Sequence, residues 1–381
     1  MERIPIAGPW ITEREIDYVG RAVREAWYDG AWQFHERFET AFATLVGVKH
    51  AVSTPSCTTA LHIALKALGV GPGDEVIVPD LTWIASVAPV TYVGATPRFA
   101  DVDPATWCID VDSAAALLTP RTKAIVAVDL YGSMPDMRAL RALAEGAGLP
   151  IVEDAAEALG STFDGRPAGS FGRIAAFSFH ASKTVTTGEG GMAVTDDRHL
   201  YERLCALRNH GRRPFDRDFS SEEIGFKYMM SSMQAALGLA QVERAAELVA
   251  AKRRVFHRYA THLSGVPGLS INAEPPGTFN SFWMASIVLD ETAPTSAPAL
   301  REHLRASKID ARPFFPQVSR HPAFQGDPAA LRAAQRNRTA AHLAANGLNL
   351  PSGPLLTDAQ IDRVCGMIAS FLARPSRAAA S

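Results

Sequence analysis

Cysteine is scarce in this sequence. Cys57, Cys108, Cys205 and Cys365 are the only four among 381 residues, and no two stand in a CxxC pair. That spacing excludes a disulfide framework and a cysteine zinc site, and it suits a reducing compartment. Long apolar runs are missing too: no stretch approaches the ~20 apolar residues that a membrane-spanning helix needs. The opening Met1-Glu2-Arg3-Ile4-Pro5 has no apolar leader segment, so a soluble cytoplasmic protein with no membrane partner is expected. Nor is there an excess of either charge. Lysine plus arginine number 38 against 40 for aspartate plus glutamate. Such a balance leaves no electrostatic footprint for nucleic acid, and there is no helix-turn-helix pattern or basic stripe. A local basic patch remains compatible with a nucleotide diphosphate. No internal repeat, low-complexity linker or metal-ligand cluster interrupts the chain.

What is present is an alternation of short apolar runs and striped helices. A helix is expected over 13–26, with Ile16, Val19, Val23 and Ala26 on one stripe. Thr58 and Thr59 cap a second helix over 60–68, stopped by Gly69 and Gly71. Strands are expected at 75–79, 97–102, 123–129 and 151–152, with a helix over 136–145 between the last two, and further strands at 175–179 and 192–195. Strands alternating with helices imply βαβ units and a mainly parallel sheet. One long helix is expected over 231–259. Beyond it the pattern changes to a strand at 282–289, a helix over 298–306, a strand at 309–313 and a helix over 358–372. That reads as a smaller α+β unit, with the boundary near 245–250 and a frayed tail at 375–381. The length accommodates one large and one smaller domain.

Two segments carry chemistry. Phe177-Ser178-Phe179-His180-Ala181-Ser182-Lys183 leads into Thr186-Thr187-Gly188-Glu189-Gly190-Gly191. A lysine between an apolar run and a glycine-rich turn has its amine held near bare backbone. A desolvated amine is a nucleophile toward carbonyls, including an aldehyde cofactor. A lone lysine is otherwise most often a solvated surface group. Upstream, Pro150-Ile151-Val152-Glu153-Asp154-Ala155-Ala156-Glu157 reads as a short buried strand ending in acids. Asp154 is placed to project from the strand's carboxyl end, where open α/β sheets bind ligands. Alone, Asp154 would also serve as a helix N-cap for the residues from Ala155 onward. A Schiff-base lysine paired with an aspartate for a pyridinium nitrogen is the protein signature of pyridoxal phosphate chemistry.

These same segments, from Val152 through Gly160 and from Phe177 through Gly191, resemble the DegT/DnrJ/EryC1/StrS sugar aminotransferases. The resemblance extends from Ile4-Pro5 to Leu350-Pro351. It implies an α/β chain of the fold-type-I pyridoxal phosphate class, with a large mainly parallel-sheet αβα domain over 1–248 and a smaller α+β C-terminal domain over 249–381. The implied cofactor is pyridoxal 5′-phosphate, with pyridoxamine 5′-phosphate as its intermediate form. The implied partners are a small amino donor, usually glutamate, a keto-sugar acceptor, and a second copy of the chain in a homodimer that shares its active sites.

The resemblance also assigns residues. Lys183 and Asp154 would be catalytic, the first as Schiff-base lysine and proton carrier, the second as partner of the pyridine nitrogen. Cys57 and Thr58, at a helix N-terminus suited to an anion, would bind the phosphate with the Ser178 hydroxyl. Relatives usually carry glycine where Cys57 stands. Trp83 would stack on the ring, and Glu157 would contact the cofactor's face or 3′-oxygen. Lys227, within Gly225-Phe226-Lys227-Tyr228-Met229-Met230-Ser231, would reach the phosphate of the neighbouring subunit. Arg312 and Phe315 would face the substrate. Each residue also has a plainer reading: a capped core helix, a packed tryptophan, a first-turn acid in a helix, a solvated loop lysine. His180 is expected to play a supporting polar part. The glycine-rich segment is most like the branch that aminates 4-keto-6-deoxy nucleotide sugars, which includes perosamine synthases. A 3-keto sugar or a cyclitol ketone remains the alternative. A sugar dehydratase of this family would carry histidine where Lys183 stands, and a non-catalytic sensor on the same fold would form no covalent link to the cofactor.

Overall fold

The computed structural model describes residues 2–213 and 218–373; the tail at 375–381 lies outside the described residues. A seven-stranded sheet organises the larger part. Its order is His50–Thr54, Gly191–Thr195, Ile174–Ser178, Ile151–Asp154, Thr122–Val128, Glu75–Pro79 and Thr96–Ala100. The strands from Ile174–Ser178 to Thr96–Ala100 pair in parallel. Gly191–Thr195 runs antiparallel to both of its neighbours. Central strands such as Val76-Ile77-Val78 and Ile125-Val126-Ala127 are buried on both faces, as a sheet covered by helices on each side demands. On one face Phe34, Phe38 and Phe42 of helix Gln33–Val46 pack against Phe177 and Phe179, with Phe42 edge-on to Phe177 at 4.9 Å. On the other, Ala60, Leu61 and Ala64 of helix Cys57–Ala67 meet Val52, Val152 and Ala176.

A second, antiparallel sheet pairs Leu269–Ile271, Ser286–Leu289, Gly347–Asn349 and Arg312–Pro313. Helices Ala297–Ala306 and Asp358–Leu372 cover it through Leu300, Leu304, Ile361 and Ile368. Helix Ala245–Leu263 serves both cores: Ala245 and Leu248 belong to the first, Val255, Phe256 and Tyr259 to the second.

Several elements differ from expectation for identifiable reasons. The helix expected from residue 60 begins at Cys57, because its cap is Ser56: the Ser56 side chain accepts from the Thr59 N–H, and the Thr59 hydroxyl accepts from the Ser56 N–H. The single helix expected over 231–259 is two, Ser232–Val242 and Ala245–Leu263. The break falls at Arg244, whose backbone leaves the helical region at φ −112° while its side chain bonds Glu15 and the Trp10 carbonyl. The strand expected at 282–289 is confined to Ser286–Leu289, because Phe282 sits at φ 50° and its N–H is taken by the Asn280 side chain. The strand expected at 309–313 shrinks to Arg312–Pro313, with Ile309 forming an isolated bridge to Ile4. Helix Gln33–Val46 and strand His50–Thr54 fall outside the expected elements, although Phe34, Phe38 and Phe42, four apart, form a buried stripe. Among the described residues, no helix is long and apolar enough to cross a membrane.

Candidate active site

The parallel strands end at a cavity of about 390 Å³. Each wall is set by a local feature of the chain. Ile151–Asp154 delivers Asp154 at its last position. The chain then turns rather than entering a helix, so Asp154 is not the helix cap that its sequence context also allowed. Ile174–Ser178 ends in Ser178, and the tight 179–190 segment brings Lys183 back over the strand ends. The N-terminus of helix Cys57–Ala67 opens onto the same space through Ser56, Cys57 and Thr58. Gly191 permits this approach, because a Cβ there would collide with the Ser56 and Cys57 backbone. Trp83, at the end of the Glu75–Pro79 connection, is half-exposed, with its ring centroid 5.5 Å from that of Phe315. Arg312 and Phe315 enter from the edge of the second sheet.

The Lys183 amine is placed by two contacts. Its Nζ lies 3.0 Å from Glu157 Oε1 and 3.8 Å from the centroid of the Trp283 ring. Glu157 Oε2 accepts the Tyr131 N–H at 3.0 Å. Because no helix follows Asp154, Glu157 is not a first-turn helix acid but a buried carboxylate aimed at the lysine. Asp154 accepts the Ala156 N–H at 3.2 Å and the Cys57 thiol at 3.7 Å. Burial pushes the carboxyls of Asp154 and Glu157 above their usual range, although Lys183 and the hydrogen bonds to each pull the other way. Burial likewise raises the Cys57 thiol well above its ordinary value, with Asp154 adding to the effect, so the thiol stays protonated and serves as a weak donor.

The expected residues Cys57, Thr58, Trp83, Asp154, Glu157, Ser178, Lys183, Arg312 and Phe315 thus line one cavity. Lys227 does not: it is exposed and pairs with Asn209 in an isolated bridge. His180 lies at the rim, 2.9 Å from the Ser182 hydroxyl and 3.8 Å from Glu189. Sequence patterning did not single out Ser86, whose hydroxyl bonds Asp154, nor Tyr131 and Trp283. The one available signal was the adjacent pair Phe282-Trp283, large aromatics standing just ahead of a strand.

The donor set fits a pyridoxal phosphate. Two buried carboxylates share a single ammonium, so the site holds uncompensated negative charge that a protonated ring nitrogen would balance. The helix N-terminus supplies free backbone N–H groups of the kind that bind phosphate.

Comparison with known proteins agrees. Residues 9–369 match the DegT/DnrJ/EryC1/StrS aminotransferase family. The chain belongs to that family and is a pyridoxal phosphate-dependent aminotransferase. It is 41% identical to a GDP-perosamine synthase of Caulobacter vibrioides over 98% of this chain and 99% of the relative. It is 39% identical to a UDP-N-acetyl-3-dehydro-alpha-D-glucosamine 3-aminotransferase of Acidithiobacillus ferrooxidans, over 87% and 86% of the two chains. Among solved structures, 3-amino-5-hydroxybenzoic acid synthase superposes with a TM-score of 0.91 at 30% identity, over 97% of this chain and 99% of that one.

Proposed function

We propose that this enzyme moves an amino group from an amino acid, most simply L-glutamate, to the ketone of a nucleotide-linked 4-keto-6-deoxyhexose in amino-sugar biosynthesis in the cytoplasm. The observation that carries the reading is the Lys183 amine held 3.0 Å from Glu157 in the cavity that Asp154 also lines. The near full-length likeness to the GDP-perosamine synthase supports the acceptor class.

Pyridoxal phosphate, when bound, supplies the electron sink that makes a carbon acid of the donor. The protein's own groups do the rest. Lys183 Nζ takes the proton that leaves the donor's α-carbon and, in the second half-reaction, delivers one to the acceptor carbon; a positioned base of this kind contributes roughly 10²- to 10⁴-fold. Glu157 orients that amine. Asp154 keeps the ring nitrogen cationic through its opposite charge. The N-terminus at Cys57 and Thr58, with the Ser178 hydroxyl, takes the phosphate, and Trp83 covers the ring. Arg312 and Phe315 face the acceptor. Lys227 is assigned to a neighbouring subunit's phosphate in a homodimer. The exposed Ile16, Val23, Trp27, Tyr28 and Trp32 around helix Glu13–Glu25 support a buried surface of that kind.

A second reading, amination at C3 of a sugar or of a cyclitol ketone, draws on the likeness to the 3-aminotransferase. The test is to load the enzyme with pyridoxamine phosphate and add a panel of keto sugars and cyclitols, watching the pyridoxal absorbance. Its return with nucleotide-linked 4-keto-6-deoxy sugars is the expected result. Return only with 3-keto sugars or cyclitols would replace the first reading with the second.

A further inference from the structure

Lys252 is a buried amine that the reaction does not use. It lies on helix Ala245–Leu263 and is 2% exposed. Its Nζ donates to the Trp283 carbonyl at 3.2 Å and to the Ser352 carbonyl at 2.7 Å. Among the described residues no carboxylate pairs with it. A buried lysine without a counter-ion is costly.

The contacts of Trp283 link this amine to the Lys183 site. The indole face meets Lys183 Nζ at 3.8 Å. The indole N–H donates to the carbonyl of Ser182, the residue before Lys183, at 2.8 Å. The ring lies nearly parallel to Tyr131, at 6.2 Å and 22°, and the Tyr131 N–H binds the Glu157 carboxylate that holds Lys183. Trp283 therefore closes a circuit of contacts around the lysine. Its own backbone is not held by a strand. Phe282, one residue earlier, sits at φ 50°, a strained conformation that persists only where neighbours over-determine it. The Asn280 side chain restrains Phe282 itself, and Lys252 adds a restraint one residue on. It pins the Trp283 carbonyl, and Ser352, which it also pins, accepts the Ala285 N–H on its hydroxyl at 2.9 Å.

We propose that Lys252 is a positioning residue for Lys183, acting through Trp283: its amine fixes the 283–285 segment, and the indole so fixed sets where the Lys183 amine stands. Two carbonyls satisfy both N–H groups of a neutral amine but leave one N–H of an ammonium unbound. Burial, with the like charge of Lys183 adding to it, lowers Lys252 to about 7, in keeping with that count.

The proposal rests on the reading of Lys183 as the functional amine, and the test separates the two. Apo enzyme is mixed with pyridoxal phosphate, and capture is followed by absorbance and confirmed by borohydride reduction and peptide mapping to Lys183. The parent must capture the cofactor at Lys183; failure there overturns the functional reading itself. Given capture by the parent, Lys252→Met should slow capture and lower kcat on the order of 10- to 100-fold, the scale of a misplaced reacting group, with KM for the amino donor changed much less. Trp283→Leu should do at least as much. The double variant should be no worse than the slower single variant, because both act through one contact. Lys252→Gln, which keeps amide donors, should recover part of the loss and stands in where Lys252→Met does not fold. Parent-like capture in the Lys252 variants, or losses that simply multiply in the double variant, would overturn the proposal.

Discussion

Two clusters of buried charge in this molecule look alike and behave oppositely. Glu15 is 1% exposed. It receives the Thr12 N–H at 2.7 Å, the Thr12 hydroxyl at 2.6 Å, Gln241 at 2.7 Å and Arg244 at 2.7 Å. Burial pushes its carboxyl up, but the bonds from Thr12, Arg244 and Gln241 together bring it down to about 2. Asp154 and Glu157 are as little exposed but lie deeper in the protein, and there burial prevails and both are raised. The difference lies in depth and in the supply of donors. The brace between the N-terminal helix and Arg244 is saturated, so it holds structure together and has nothing to offer a ligand. The cavity's acids share one ammonium, and their unspent acceptor capacity is what a cationic ring nitrogen and a substrate amine would use. Under-compensated buried acids mark functional sites for this reason.

The comparison breaks most sharply at Lys183. Lys183→Ala removes both the covalent anchor and the proton carrier, so turnover should fall by 10⁴-fold or more, about the upper limit for a general base. The variant should still fold but melt somewhat lower, because Glu157 and Asp154 lose the ammonium that they share. Activity assays alongside thermal melts check both halves. Asp154→Asn keeps shape and loses charge; turnover should drop on the order of 100-fold, toward the lower end of that range, while the cofactor still binds. If the asparagine variant turns over like the parent, the carboxylate does not serve the ring nitrogen.

The saturated cluster should respond in the other currency. Glu15→Gln gives up charged hydrogen bonds and should cost roughly 1.5–3 kcal/mol of stability, with turnover of the folded protein unchanged. Because the folded carboxyl of Glu15 titrates near 2 and the unfolded one near 4.5, its contribution is present above the unfolded value and is lost as pH falls toward 2. Denaturant melts between those limits should show a shallower acid decline in Glu15→Gln than in the parent. A variant that loses activity at unchanged stability would mean that the brace and the cavity are coupled.

The same contrast explains what the sequence disclosed. The strand ending at Asp154 and the lysine segment were legible because short apolar runs, acids at a strand end and glycines ahead of a strand are local signals. The parallel sheet followed from the alternation of such runs. Trp283 and Tyr131 were not legible, since their importance comes from contacts with Lys183 and Glu157 far away in the chain. The break at Arg244 was hidden for the same reason: helix-forming residues continue through it, and the cause is a tertiary bond to Glu15. The Ser56 cap was legible in principle, but two threonines downstream offered equally good capping chemistry.

The pH dependence set by one buried lysine is the most discriminating between saturated and unsaturated charge. Arg244 has its carboxylates; Lys252 has only two carbonyls. Burial lowers the folded Lys252 amine from 10.5 to about 7. Between those values the unfolded chain binds a proton that the folded chain does not, so this residue makes stability rise as pH increases from about 7 toward 10.5. Below about 7 both states are protonated and the contribution is flat. One proton gives a slope of at most ~1.4 kcal/mol per pH unit. Lys252→Met should remove that slope while leaving the rest of the pH profile intact, so the parent-minus-variant difference in denaturant stability is the quantity to measure. A difference that stays level across this range would show that Lys252 keeps its proton when folded, and that two carbonyls alone suffice to hold an ammonium beside the Lys183 pocket.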